Sequence, residues 1–225
     1  MLKEGNLRPL IKILLILSSL IVSLVLFWLF PLKVLARLAH RYGHSTPCPS
    51  SFAWLVNNPI RRRYMRPLLD RVGIRPGEHV LELGPGPGTF TVDAARRVGP
   101  EGRTIAVDIQ PEMIAQVDRR VREAGLTNVE THVAGAHALP LDDASVDRAF
   151  LVTVLPEIPD QGRALAELYR VLKPGGVLSI TEEFMDPHYP FLSETVRRVE
   201  AAGFRLERRM GNWWIYTVNF VKREA

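Results

Sequence analysis

Val80-Leu81-Glu82-Leu83-Gly84-Pro85-Gly86-Pro87-Gly88-Thr89-Phe90 decides how this chain folds. An apolar run carrying one acid ends in a glycine-rich turn, and a helix-forming stretch follows. A second apolar run, Thr104-Ile105-Ala106-Val107, then ends in Asp108. Doubly wound α/β domains take up an adenosine-containing ligand with this layout. The glycines let backbone come close to the ligand, and the second acid accepts hydrogen bonds from ribose hydroxyls.

The glycine spacing narrows the ligand. A dinucleotide fingerprint needs G-x-G-x-x-G, whose third glycine lets a helix pack close beneath a pyrophosphate. Here the pattern is G-x-G-x-G, and Thr89 stands where the third dinucleotide glycine would fall. Glu82, directly before the turn, would repel a pyrophosphate and suit a cationic ligand. A dehydrogenase is disfavoured on both counts.

Three further runs follow in order: Val107-Asp108-Ile109-Gln110-Pro111-Glu112-Met113, then Ala138-Leu139-Pro140-Leu141-Asp142-Asp143-Ala144-Ser145-Val146-Asp147, then Leu168-Tyr169-Arg170-Val171-Leu172-Lys173-Pro174-Gly175-Gly176. With the glycine loop they resemble the class I S-adenosylmethionine (SAM) methyltransferases, of the type 11-like group, over about residues 72–222. The resemblance implies a SAM-dependent methyltransferase with an α/β, Rossmann-like, doubly wound fold. Its sheet would have seven mostly parallel strands and an antiparallel C-terminal hairpin. It also implies roles. Gly84, Pro85, Gly86 and Gly88 would carry backbone under the cofactor. Glu82 would face its methionine end and Asp108 the ribose. Ile109, Gln110 and Met113 would cover the adenine, and Ala136 and His137 would reach its edge. Thr153 would border the cofactor at the end of the fourth strand. The chain departs from many relatives at Ala136, where they carry an acid for the adenine amino group. His137 either stacks on the base or caps the loop.

The patterning beneath the resemblance is one of alternating strands and helices, which argues a parallel sheet covered on both faces. Strands are expected at residues 79–83, 104–108, 129–133, 147–153 and 177–182, and helices at about 90–98, 111–124 and 161–172. Pro111 opens its helix as proline does at the first position. Lys173-Pro174-Gly175-Gly176 reads as a stop. Residues 205–209 and 214–221 read as two antiparallel strands around Gly211-Asn212.

The N-terminus has another character. Residues 13–30 carry no charge and are apolar on all sides, and 18 residues at 1.5 Å rise roughly match a ~30 Å hydrocarbon core. They read as a retained transmembrane helix rather than a cleaved signal peptide, since no convincing cleavage site follows. Basic residues close to the two ends balance. Arg61, Arg62, Arg63 and Arg66 tilt the expectation toward a single-pass membrane protein with a cytoplasmic catalytic domain, where SAM is available. The expected organisation is therefore residues 1–32 as anchor, 33–66 as amphipathic and basic linker with lid helices, and 67–225 as catalytic domain. Arg61 to Arg66 either meet anionic headgroups or form a solvated helix face, and Tyr64 is a candidate lid residue.

Composition bounds the rest. After the N-terminal segment the 225-residue chain holds one domain's worth of core. The single cysteine, Cys48, excludes an intrachain disulfide, and the six histidines show no metal-ligand spacing, so no metal is expected. The net charge of +5 suggests nucleic acid, but the N/D-P-P-Y/F-type tetrapeptide of many amino-methylating DNA enzymes is missing where Leu155-Pro156-Glu157-Ile158 stands. Nucleic acid is therefore not expected as a partner. Methyl transfer is an in-line displacement driven largely by positioning, so no universal catalytic signature exists to find. In such sheets the acceptor belongs near the carboxyl ends of the fourth and fifth strands. Glu157, Glu183, His188 and Tyr189 are the acid–base candidates there, with Glu182, Phe184 and Asp186 beside them. The expected partners are the bilayer and a lipidic or hydrophobic acceptor: a phospholipid amine, an isoprenoid quinone ring or a sterol-like molecule, with small thiols or phenols as the alternative. A tethered SAM-binding protein without catalysis is the reading from another class. Nothing in the sequence sets an oligomeric state.

Overall fold

The computed structural model describes residues 7–27, 31, 34–35 and 57–223. The chain divides into two units, Met1–His44 and Ser45–Ala225. The second contains strands β1 (His79–Leu83), β2 (Arg103–Asp108), β3 (Val129–Val133), β4 (Val146–Val152), β5 (Leu172–Glu183), β6 (Phe204–Gly211) and β7 (Ile215–Lys222). They form one sheet in the order β3-β2-β1-β4-β5-β7-β6. Strands β1 to β5 run parallel, β7 lies antiparallel to β5, and β6 lies antiparallel to β7. The order turns back between β1 and β4, and ligands of such sheets bind outside the carboxyl ends of the strands at that point.

The described helices are α1 (Leu7–Phe27), α2 (Pro59–Tyr64), α3 (Leu68–Val72), α4 (Thr91–Val98), α5 (Pro111–Glu123), α6 (Gln161–Val171) and α7 (Leu192–Ala201). Side-chain alternation in the strands feeds both faces of the sheet. On one, Val80, Phe150 and Val152 pack with Met65, Leu68, Leu69 and Val72 from the α2–α3 segment and with Phe90, Ala94 and Val98 around α4. On the other, Leu81, Leu151, Leu178 and Ile180 pack with Leu165 and Leu168 of α6 and Val196 and Val199 of α7. Each large apolar side chain buried this way contributes about 1.5–3 kcal/mol. The doubly wound sheet and antiparallel hairpin expected from the sequence are thus present.

Two elements differ from the sequence reading. Lys173-Pro174-Gly175-Gly176 does not interrupt the chain between helix and strand. Strand β5 begins directly at Leu172 and absorbs these residues through a register shift against β4 between Val146 and Arg148. Helix α7 was not anticipated, although Leu192, Val196 and Val199 share one helical face; Val196 and Val199 are buried and Leu192 packs partly against the core.

The transmembrane helix expected at the N-terminus is not supported among the described residues. Helix α1 exists, and its described side chains are exposed and almost all apolar. Among the described residues no helix is long and apolar enough to cross a membrane. Of the amphipathic and basic linker expected at 33–66, residues 33 and 36–56 lie outside the described residues.

Candidate functional site

The loop after β1 is shaped by two close approaches. Gly84 has φ +70°, and a Cβ there would lie 2.4 Å from Cγ2 of Val154, just past β4. Gly88 has φ +76°, and its Cβ would press to 3.3 Å on Val117 of α5. Glycine alone satisfies both the backbone and the space. The loop is pinned by Gly84 N–H donating to Val107 O (2.8 Å) and Gly88 N–H donating to Pro85 O (3.0 Å). At Gly86 the position a Cβ would take has nothing within 4 Å, so the middle of the loop faces open space.

Two acids flank that space. Asp108 ends β2 almost fully buried. Its Oδ2 accepts from Gly86 N–H at 3.3 Å and its Oδ1 from Gln110 N–H at 2.9 Å, so one carboxylate ties the two ligand loops together. Burial pushes its pKa up, against the pull of these backbone donors. Glu82 sits beneath, with Oε2 accepting from Thr91 Oγ at 2.6 Å. Burial raises it to about 8, and the negative charge of Asp108 adds to the shift. A buried acid so poised gains from a cationic ligand. The open cradle, Glu82 and Asp108 fit the methionine end and ribose of SAM.

The expected adenine-side residues occupy the loops around β2 and β3. Ile109 is 59% exposed beyond Asp108, and a Cβ on Gly135 would touch its Cδ1 at 3.9 Å. Met113 is buried in α5, with Gln116 Nε2 at 4.0 Å from its sulfur. Ala136 packs partly against the core. His137 places Nε2 3.0 Å from Asp160 O, joining this loop to the start of α6. That contact supports capping of the loop over stacking.

At the ends of β4 and β5 lies the other half. Thr153 takes φ +56°, a strained setting for a β-branched residue, and donates its N–H to Thr181 O at 2.8 Å. Glu157 sits in a 3₁₀ turn, Leu155–Glu157. His188 N–H donates to Asp186 Oδ1 at 2.6 Å, with its ring Nδ1 3.6 Å from the same oxygen. Tyr189 is buried and donates its hydroxyl to Trp213 O at 2.7 Å; burial raises its pKa. Glu183 is engaged from α2: Arg61 Nε donates to Oε1 at 2.6 Å and Tyr64 OH to Oε2 at 2.9 Å. Burial and the Glu183 charge raise Tyr64 to about 12. Glu183 is thus a structural partner of α2 in this arrangement, not an unengaged base. Arg61 is buried, unlike the exposed Arg62, Arg63 and Arg66, so the headgroup-facing reading does not apply to it.

Glu182 is the residue whose weight the sequence understated. It is fully buried, and among the described residues neither carboxylate oxygen has a hydrogen-bond partner. The two consecutive acids of β5 point to opposite faces, and the pattern alone does not say which one meets a cation.

Residues 80–176 match a family profile described as a methyltransferase domain. An uncharacterised 37.1 kDa protein in a transposon of Streptomyces fradiae is 39% identical over 68% of this chain and 44% of its own length. A ubiquinone/menaquinone biosynthesis C-methyltransferase of Marinomonas is 35% identical over 70% of this chain and 61% of its own. The chain therefore spans between two fifths and two thirds of these curated relatives. A solved SAM-dependent methyltransferase from Aquifex aeolicus superposes with a TM-score of 0.73 at 26% identity, covering 78% of this chain and all of that one. With the glycine cradle between Glu82 and Asp108, these likenesses support a SAM-dependent methyltransferase domain, whose cofactor is S-adenosylmethionine.

Proposed function

We propose that this protein transfers the methyl group of SAM to a lipidic or otherwise hydrophobic small-molecule acceptor while associated with a membrane. The observation that carries the reading is the aromatic cluster at the carboxyl end of β5. Phe184 packs edge-on against Tyr189 and Trp213 at centroid distances of 5.4 and 5.3 Å and lies tilted on Trp214 at 5.5 Å. Trp213 remains 69% exposed, so the acceptor end of the sheet opens onto an apolar aromatic surface. Paired tryptophans suit the membrane–water interface. The exposed apolar surface of α1 supports the association, with the catalytic domain on the cytoplasmic side where SAM is made. A phospholipid amine and a quinone ring both fit, and the likeness to quinone C-methyltransferases lends the second some weight. Small hydrophobic thiols or phenols are the alternative acceptors.

Incubating the full-length protein with methyl-labelled SAM and a total lipid extract tests this directly. Label in a chromatographed lipid species supports the reading, and the mass of that species names the acceptor. Label only in added thiols or phenols moves the assignment to the alternative. SAM binding without any transfer would leave a membrane-tethered SAM-binding protein.

A further inference from the structure

We infer that Glu182 is the acceptor-side carboxyl of this site and that the acceptor presents to it an aliphatic amine on an apolar body. This rests on the methyltransferase reading above. Glu182 is the penultimate residue of β5, one residue past Thr181, whose carbonyl receives the N–H of Thr153 at the cofactor end of β4. Its side chain is inaccessible to solvent, and both oxygens lack a hydrogen-bond partner among the described residues. A buried carboxyl left so is costly unless it serves a ligand.

The surroundings indicate what ligand. Among the described residues, the charges that act most on Glu182 are negative: Asp186 from the loop after β5, which His188 Nδ1 approaches at 3.6 Å, Glu157 from the turn after β4, and Glu183 next to it, which Arg61 engages. Burial and these neighbours hold the Glu182 carboxyl well above the usual carboxylate range. Donors nearby are turned away. Tyr216, its register partner on β7, directs its hydroxyl to Thr195 and Pro190 O, and Tyr189 gives its proton to Trp213 O. The rings of Tyr189 and Tyr216 lie edge to face at 5.7 Å, continuous with Phe184 and the Trp pair. Among the described residues no cluster of His, Cys, Asp or Glu is arranged to hold a metal. Excess negative charge bordered by aromatic rings suits an organic cation, which the carboxylate neutralises and the rings attract. A quinone ring would bring neutral oxygen and leave the charge uncompensated.

The chemistry balances. An ammonium arrives, and Glu182 gives its proton to water, forming an ion pair. The carboxylate then takes a proton from the ammonium, which frees the nitrogen lone pair. An N–C bond forms as the S–C bond of the sulfonium breaks, with that bond's electron pair staying on sulfur. Products are a methylated ammonium, the neutral thioether, protonated Glu182 and the proton already given to water.

Full-length protein would be given methyl-labelled SAM and four acceptor sets: phosphatidylcholine vesicles alone, the same with phosphatidylethanolamine, the same with an isoprenoid hydroquinone, and free ethanolamine. Label in phosphatidylethanolamine is expected, and label in free ethanolamine without phosphatidylethanolamine would overturn the apolar body of the acceptor. E182Q should lower that transfer on the order of 100-fold with SAM affinity unchanged, which also reports an intact fold. Label in the hydroquinone alone, an E182Q variant as active as the parent, or no label in any amine would overturn the inference. The wild-type sets decide it alone should E182Q fail to fold. Loss of SAM binding by the parent protein would instead sink the methyltransferase reading itself.

Discussion

Glu82 and Asp108 face one ligand space from two strand ends, yet they are held differently. Asp108 is fixed by backbone donors from Gly86 and Gln110, which presets it for the ribose contact expected of it. Asp108→Ala should weaken SAM binding by about 1.5–3 kcal/mol, the range for a hydrogen bond to a charged group. Isothermal titration would read this, and unchanged affinity would place the ribose elsewhere. Glu82 accepts from the Thr91 hydroxyl, and burial raises it from its ordinary 4.5 to about 8. Between those values the folded state holds a proton that the unfolded state has lost. This contribution to stability is present in full below about 4.5 and is lost as pH rises through about 8. A cation beside Glu82 favours the ionised form, so SAM affinity should rise with pH over the same window. In Glu82→Gln both slopes should flatten, as melting curves and titrations at pH 5 and 8 would show. These two acids were legible because their spacing from the glycines dictates their chemistry. Glu182, Glu183 and Arg61 were not: strand alternation sets Glu182 and Glu183 on opposite faces, but only the tertiary structure brings Arg61 to one of them.

At the scale of elements, the distribution of strands and helices from β1 to α6 followed from apolar periodicity and turn chemistry, with boundaries displaced by a residue or two. The exceptions have physical causes. Strand β5 continues through Pro174 and two glycines because a register shift against β4 accommodates them. Helix α7 has no side-chain cap at Phe191, so it lacks the usual start signal. Helix α2 is too short to be stable by itself. Its place depends on a buried pair, Arg61 with Glu183, at side-chain exposures of 7% and 9%. Removing one partner of such a pair costs about 3–5 kcal/mol because the other is left charged and buried. Arg61→Met should therefore lower the melting temperature and expose residues 57–66 to protease. Adding Glu183→Leu should recover much of the loss. A double variant no more stable than the single one would show that the ion pair is not what holds α2.

Over the whole molecule, two kinds of surface bear on the proposed membrane association. Helix α1 offers exposed apolar side chains, each a gain of about 0.8 kcal/mol per methylene transferred from water. The second unit offers Arg62, Arg63 and Arg66, exposed on or just after α2, and a basic residue near an anionic bilayer is worth about 1 kcal/mol. The first attraction is insensitive to salt, and the second is screened within about 8 Å at physiological ionic strength. Deleting residues 1–31 separates them. The truncated protein should leave the membrane fraction at high salt, retain a salt-sensitive residue of binding to anionic vesicles at low salt, and bind SAM as the full chain does, since Glu82, Asp108 and the glycine cradle lie in the second unit. Flotation across a salt series with a parallel SAM titration would measure all three. Membrane binding that survives both the deletion and high salt would move the apolar attachment to the exposed Trp213 and Trp214 turn, where Trp213→Ala would then have to abolish it.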